Sequence, residues 1–221
     1  MKNDYLIISD IHLGSKDCHA DKLLKLLIKV KSKRIIIAGD LFDHHNLSRL
    51  PKSHWKVLSK LRKLSKKCKV TYLIGNHCFL KAEFMSILLG FDCKDEYIIN
   101  LKDTKILVAH GDIFDIYFTK YKTLTNFIIK LYYIFRHYTP FADDFFNLFK
   151  NKTNNFIEKS SEVKKNALTY INNNNYDIVI CGHTHLPEKD QKYINIGSFC
   201  EKKCTYVIIR NEQIILKEYE D

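Results

Sequence analysis

Residues 34–43 read RIIIAGDLFD, an apolar, mostly β-branched run that stops at Gly39 and is followed at once by Asp40 and Asp43. Three isoleucines and an alanine in succession, without polar alternation, mark a strand buried on both faces. The same pattern recurs in YLIISD (5–10), VTYLIGN (70–76), KILVAHG (105–111) and DIVICGH (177–183). Between the first three runs lie HADKLLKLLIKVKS (19–32) and SHWKVLSKLRKLSKK (53–67), with leucines at helical spacing and lysines elsewhere. The order β-α-β-α-β predicts a parallel or mixed sheet covered by helices.

Outward from this beginning, YIINLKDTKILVAH (97–110) reads as a hairpin or two strands turning at Lys102 and Asp103. The tail supplies three more strands in YINIGSF (193–199), TYVIIRN (205–211) and QIILKEYE (213–220), the last two joined by a turn at Asn211 and Glu212. Residues 113–170 interrupt the rhythm with an aromatic, lysine-broken stretch that reads as a helical insertion, divided at Pro140. The asparagines at 172–175 read as a polar connector. One domain over 1–221 with its insertion at 113–170 is the expected organisation.

Composition agrees with a folded chain. Of 221 residues, 46% are hydrophobic and 28% charged, which is globular and not disordered. No run approaches the length of a membrane span, and the opening residues lack the apolar core and cleavage site of a secretion signal. Seven cysteines without regular spacing suit reduced thiols, so a cytoplasmic location is expected. The net charge of +11 attracts anions, but it is mostly lysine in a chain also rich in asparagine and isoleucine, a mixture that base composition alone produces.

Chemistry gathers where the strands stop. SDIH supplies Asp10 and His12, GDLFD Asp40 and Asp43, GNHC Asn76, His77 and Cys78, AHGD His110 and Asp112, and CGHTH His183 and His185. In open α/β sheets the carboxyl ends of strands line the ligand crevice, so five such ends can converge. Carboxylate, imidazole and amide donors together suit manganese, iron or zinc. Each fragment alone is as readily a turn; the five together, each after a buried strand, are a metal-site pattern.

The series Asp-x-His, Gly-Asp-x-x-Asp, Gly-Asn-His, His and Gly-His-x-His, from Asp10 to His185, resembles the calcineurin-like metallophosphoesterase superfamily. The resemblance implies a four-layer α/β/β/α sandwich with a helical insertion and two divalent metal ions, manganese first, with iron or zinc as alternatives. Asp10, His12 and His185 would hold one ion, and Asn76, His110 and His183 the other. Asp40 would bridge them. His77 would contact the substrate phosphate or protonate the leaving group, and a water activated between the ions would attack phosphorus. Asp43 and Asp112, one step from ligands, would orient imidazoles or water. The family usually carries Asp after Gly-Asn-His; Cys78 stands there, a neighbour of His77 that cannot supply the charge, and not a nucleophile.

SDIHLGS, HGDIFD, CGHTHLPE and INIGSFCEKKCTYVII look closest to the UDP-2,3-diacylglucosamine pyrophosphatase branch. That likeness implies a diphosphate or phosphate-ester substrate, lipid-linked in this branch, and an insertion that accommodates acyl chains. Residues 113–149 would then provide peripheral contact with the inner membrane face. A nuclease or phosphodiesterase, a phosphoprotein phosphatase on the same site, and a binding protein without catalysis remain as alternatives; nucleic acid is the less favoured partner. His19, His44, His45, His54 and His137 have no partner pattern and read as surface or helix-capping residues. Cys181 reads as core, and Cys200 and Cys204 as buried thiols.

Overall fold

The computed structural model describes residues 3–43, 46–76, 82–116 and 156–220. Its elements run β1 (Asn3–Ser9), α1 (Ala20–Lys29), β2 (Ser32–Ala38), α2 (Lys52–Ser65), β3 (Lys69–Leu73), α3 (Ala82–Leu89), β4 (Asp92–Lys94), β5 (Glu96–Leu101) and β6 (Thr104–Ala109). After these come α4 (Phe156–Asn173), β7 (Ile178–Cys181), β8 (Glu188–Lys189), β9 (Tyr193–Asn195), β10 (Thr205–Arg210) and β11 (Gln213–Glu218). Short 3-10 turns lie at Leu47–Arg49 and Asp112–Phe114.

Two mixed sheets result. The first has six strands in the order β11-β10-β1-β2-β3-β4, the second five in the order β5-β6-β7-β9-β8. β1 to β4 are mutually parallel, with Ser9 beside Ala38 and Ala38 beside Leu73. β10 runs antiparallel to β1, Tyr5 facing Ile209. In the second sheet β6, β7 and β9 are parallel.

Side-chain alternation explains why both faces of these strands are apolar. Along β1, Leu6 and Ile8 pack towards α1 and α2, while Tyr5 and Ile7 enter the space between the sheets. In β2, Ile35 and Ile37 take the helix side and Ile36 and Ala38 the inter-sheet side. Ile106, Val108 and Ile180 face them from the second sheet, and Leu107, Ala109, Val179 and Cys181 turn the other way onto Val163, Ala167 and Ile171 of α4. The layers are therefore helix, sheet, sheet, helix, the architecture expected. Each fully buried leucine or isoleucine contributes about 1.5–3 kcal/mol over its exposed state.

Several details differ from the expectation. The first helix ends at Lys29 and β2 starts at Ser32, because Val30 turns extended and Ser32 pairs with Asn3. Among 193–199 only Tyr193–Asn195 is strand; Ile196 to Ser198 leave the ladder to pass under the site. The first two of the four asparagines extend α4, and the helix gives way near Asn175, whose φ is 56°. α3 and β4 were not anticipated. Of the expected insertion, residues 117–155 with Pro140 and His137 lie outside the described residues, as do His44, His45, His77 and Cys78. Among the described residues, no helix is long and apolar enough to cross a membrane.

Candidate metal centre

The parallel strands of both sheets finish at one rim, and the polar residues beyond them meet there. The backbone has to turn sharply to bring them in. Asp10, His12, Asp40, His183 and His185 all have positive φ, between 39° and 69°. Left-handed backbone at non-glycine residues costs roughly 1–2 kcal/mol each, and such residues cluster at functional sites. Main-chain bonds hold the turns in place: His12 N donates to Asp40 O (2.9 Å), Gly182 N to His110 O (2.7 Å) and Phe199 N to Asp10 O (3.1 Å).

Asn195, fully buried on β9, braces the Gly182–His185 turn from beneath. Its Nδ2 donates to Gly182 O (2.8 Å) and Thr184 Oγ1 (2.9 Å), and its Oδ1 accepts from Gly197 N (2.9 Å). Two glycines admit the ligands. A Cβ on Gly39, φ 83°, would collide with the His110 ring, and one on Gly182 would collide with Asp10 Oδ2 and Ser9.

Four of the seven expected ligands, Asp10, His12, Asp40 and His110, are buried, and Asn76, His183 and His185 are half-buried. Asp10 is fully buried, Asp40 and His110 nearly so. His185 Nε2 lies 3.2 Å from Asp10 Oδ1 and 3.3 Å from His12 Nε2. His12 Nε2 lies 3.8 Å from Asp10 Oδ1 and 3.9 Å from Asp40 Oδ2. His110 Nε2 lies 3.3 Å from Asp40 Oδ2 and 2.9 Å from Asn76 Oδ1, which is also 3.1 Å from His183 Nδ1. Donor atoms of Asp10, His12 and His185 fall within 4.8 Å of one another, and so do those of Asp10, Asp40 and His110. Asp10 is common to both groups, and Asp40 belongs to the second.

This donor set fits divalent metal. Asp10 Oδ1, although buried, accepts no well-formed hydrogen bond among the described residues, and the His12 and His185 nitrogens point at each other around it. A buried carboxylate oxygen left in this way is costly unless a cation completes it. The electrostatics agree. Burial works against a charged His12, but the neighbouring carboxylates of Asp10, Asp43 and Asp40 favour its protonated ring and raise its pKa to about 10. Burial likewise opposes charge on His110, and Asp40 outweighs it, again to about 10. Burial would push Asp10 up, yet His12 and His185 hold it well below the usual carboxylate range. The carboxylates draw positive charge into the pocket whatever its source.

Around the expected ligands, Asp43 Oδ1 lies 3.6 Å from His12 Nδ1. Asp112, half-buried, opens a 3-10 turn and acts on His110 through its charge. The carboxylate that touches His183 is Asp115, which the sequence reading missed. It is buried, its Oδ2 is 3.0 Å from His183 Nε2, and Lys159 Nζ of α4 lies 3.0 Å from the same oxygen. Its pKa falls to about 2, since His183 and Lys159 overcome the burial that would raise it. The second carboxylate of HGDIFD is the only trace of this in the sequence. His54 is also not the surface residue expected: it is buried in the first turn of α2, and its Nδ1 accepts from Gly14 N (2.8 Å), tying the Asp10–Gly14 loop to the helix. His19 precedes α1 without a side-chain capping bond. Cys181 and Cys204 are buried and Cys200 partly so, and none belongs to a metal-binding group among the described residues.

Known proteins share sequence and fold with this chain. The chain is 28% identical to a UDP-2,3-diacylglucosamine hydrolase of Blochmanniella pennsylvanica (strain BPEN), over 82% of this chain and 79% of that protein. It is 25% identical to a UDP-2,3-diacylglucosamine hydrolase of Aliivibrio fischeri (strain MJ11), over 98% and 94%. The solved structure of Yfce, a phosphoesterase from E. coli, matches the fold with a TM-score of 0.50 at 18% identity, over 98% of this chain and 99% of that one. The family model of the calcineurin-like phosphoesterases matches residues 4–187, a span that takes in every expected ligand from Asp10 to His185, and the chain belongs to that family.

Proposed function

We propose that the chain is a metal-dependent phosphoesterase that cleaves at phosphorus with water, and that its substrate is a diphosphate of the UDP-2,3-diacylglucosamine type. The observation that carries the chemistry is the pair of donor groups that share Asp10, one with His12 and His185, the other with Asp40 and His110. The substrate reading draws support from the two relatives of that name, which the chain matches over most of their length.

Asp10, His12 and His185 are proposed to hold one ion, Asn76, His110 and His183 the other, with Asp40 between. Manganese is the ion proposed, on the mixed oxygen and imidazole donors, with iron and zinc as alternatives. Such ions, when bound, lower the pKa of water towards neutrality and neutralise charge on the transferring phosphoryl group. The protein's own part is positioning, which carries most of the rate in phosphoryl transfer. Asp43 fixes the His12 ring and Asp115 the His183 ring. His77 is proposed as the group that meets the substrate phosphate or returns a proton to the leaving oxygen, with Cys78 replacing the acid usual beside it. Contact of residues 113–149 with lipid belongs to the same proposal.

The test is hydrolysis by metal-stripped protein with and without added manganese, first of bis(p-nitrophenyl) phosphate, then of UDP-2,3-diacylglucosamine in ¹⁸O-water. Manganese-dependent turnover of both, with one ¹⁸O in a phosphate product, is expected. Turnover of the generic ester alone would overturn the substrate, and no turnover of either by metal-loaded protein would overturn the enzyme.

A further inference from the structure

The outer surface of the helical layer has no part in the site. α1, α2 and α3 lie side by side on the first sheet, burying Leu23, Leu26, Leu27, Val57, Leu58, Leu61, Met85 and Leu89 against it. Their solvent side is unusual in two ways. It is cationic: Lys29 on α1 and Lys52, Lys56, Lys60 and Lys63 on α2 have no acidic partner among the described residues, and Asp21 and Glu83 are the only acids in the three helices. It is also apolar: Ile28 is 61% exposed, Trp55 45%, and Ile87 78%, with Phe84 and Leu88 beside it at helical i, i+3, i+4 spacing. Between α1 and α2 runs a groove of ≈ 430 Å³ lined by Leu24, Trp55 and lysines 52, 56, 60 and 63.

We propose that this α1–α3 face docks on an anionic phospholipid surface. Lysines on long alkyl stems beside a half-exposed tryptophan and aliphatic residues form the amphipathic composition that lies in a headgroup layer, the ammonium groups on lipid phosphates and the apolar side chains below them. A protein partner fits less well, since lysine is depleted from the cores of protein interfaces. A nucleic acid uses the lysines but leaves Ile28, Ile87 and Leu88 without a partner. The face lies on the helix side of the first sheet, apart from the candidate metal ligands at the strand ends, so this inference stands whichever ester the enzyme cleaves.

Trp55 is the only tryptophan in the chain, so its fluorescence reports this face alone. The full chain would be titrated with vesicles of phosphatidylglycerol and phosphatidylcholine, and with phosphatidylcholine alone. A blue shift and saturable binding with the anionic vesicles, lost in 1 M salt, are expected. Each lysine near such a surface contributes about fivefold in affinity, so K52E/K56E/K60E should weaken binding by about a hundredfold or more. Its melting temperature and metal content should stay unchanged. Ile87→Ser should weaken binding less and leave its salt dependence intact. No shift with anionic vesicles, equal binding by the triple variant, or a Trp55 response to duplex DNA without one to vesicles would overturn the proposal.

Discussion

Asp115 and Asn76 grip the His183 ring from opposite edges: Asp115 Oδ2 is 3.0 Å from Nε2, and Asn76 Oδ1 is 3.1 Å from Nδ1. A carboxylate on the far nitrogen fixes the tautomer and strengthens the near nitrogen as a ligand. Asp115→Asn should therefore lower metal affinity by about 10–100-fold, read by isothermal titration of stripped protein with manganese, while the circular dichroism spectrum stays as before. Unchanged affinity would remove Asp115 from the site.

Asp40 Oδ2 lies 3.3 Å from His110 Nε2 and 3.9 Å from His12 Nε2. Asp40→Asn removes its charge and should cut turnover on the order of a thousandfold or more. Elemental analysis should show less than the full complement of metal. Undiminished turnover would end the two-ion assignment.

Gly182→Ala tests close packing, since its φ is ordinary and only space forbids the methyl group. The added Cβ must displace Asp10 or Ser9, so we expect a loss of about 1–3 kcal/mol in stability and weaker metal binding. Chemical denaturation measures the first. A variant as stable as the parent would mean that the turn yields more easily than the contacts imply.

His12 and His110 both have pKa values raised to about 10. A raised imidazole contributes stability that is whole below its ordinary value near 6.5 and is lost as pH climbs through the folded value. Metal-stripped protein should thus lose stability steadily between about pH 6.5 and 10. Urea midpoints across that range should fall, and saturating manganese should flatten the decline, because bound imidazoles are neutral at every pH in it. A midpoint that rises with pH in stripped protein would contradict the charge state of the pocket.

That these polar residues gather at one rim was legible in the sequence, because each follows a run apolar on both faces and a polar residue there has nowhere else to be. The helix-covered sheet was legible for the same reason, whereas the four layers came from the family resemblance. Asp115 was not, because it ends a 3-10 turn instead of a strand, and its partners His183 and Lys159 lie 68 and 44 positions away. His54 looked like an ordinary polar residue of α2, and only the approach of the Gly14 amide shows why it is buried. α3 was hidden by its composition. AEFMSILL has apolar residues on nearly every side, so it shows neither helical nor strand periodicity, and β4 after it is three residues paired at an edge.

The left-handed turns at Asp10, His12, Asp40, His183 and His185 complicate any alanine scan of this pocket. Alanine at those five positions would remove a proposed ligand and also place a residue with a poor left-handed preference where the chain must bend, so two losses would be read as one. Asparagine adopts that bend about as readily as aspartate does. At Asp10 and Asp40 it is therefore the replacement whose kinetics report chemistry alone, and the difference between the Asn and Ala variants at each position measures the tension in the loop.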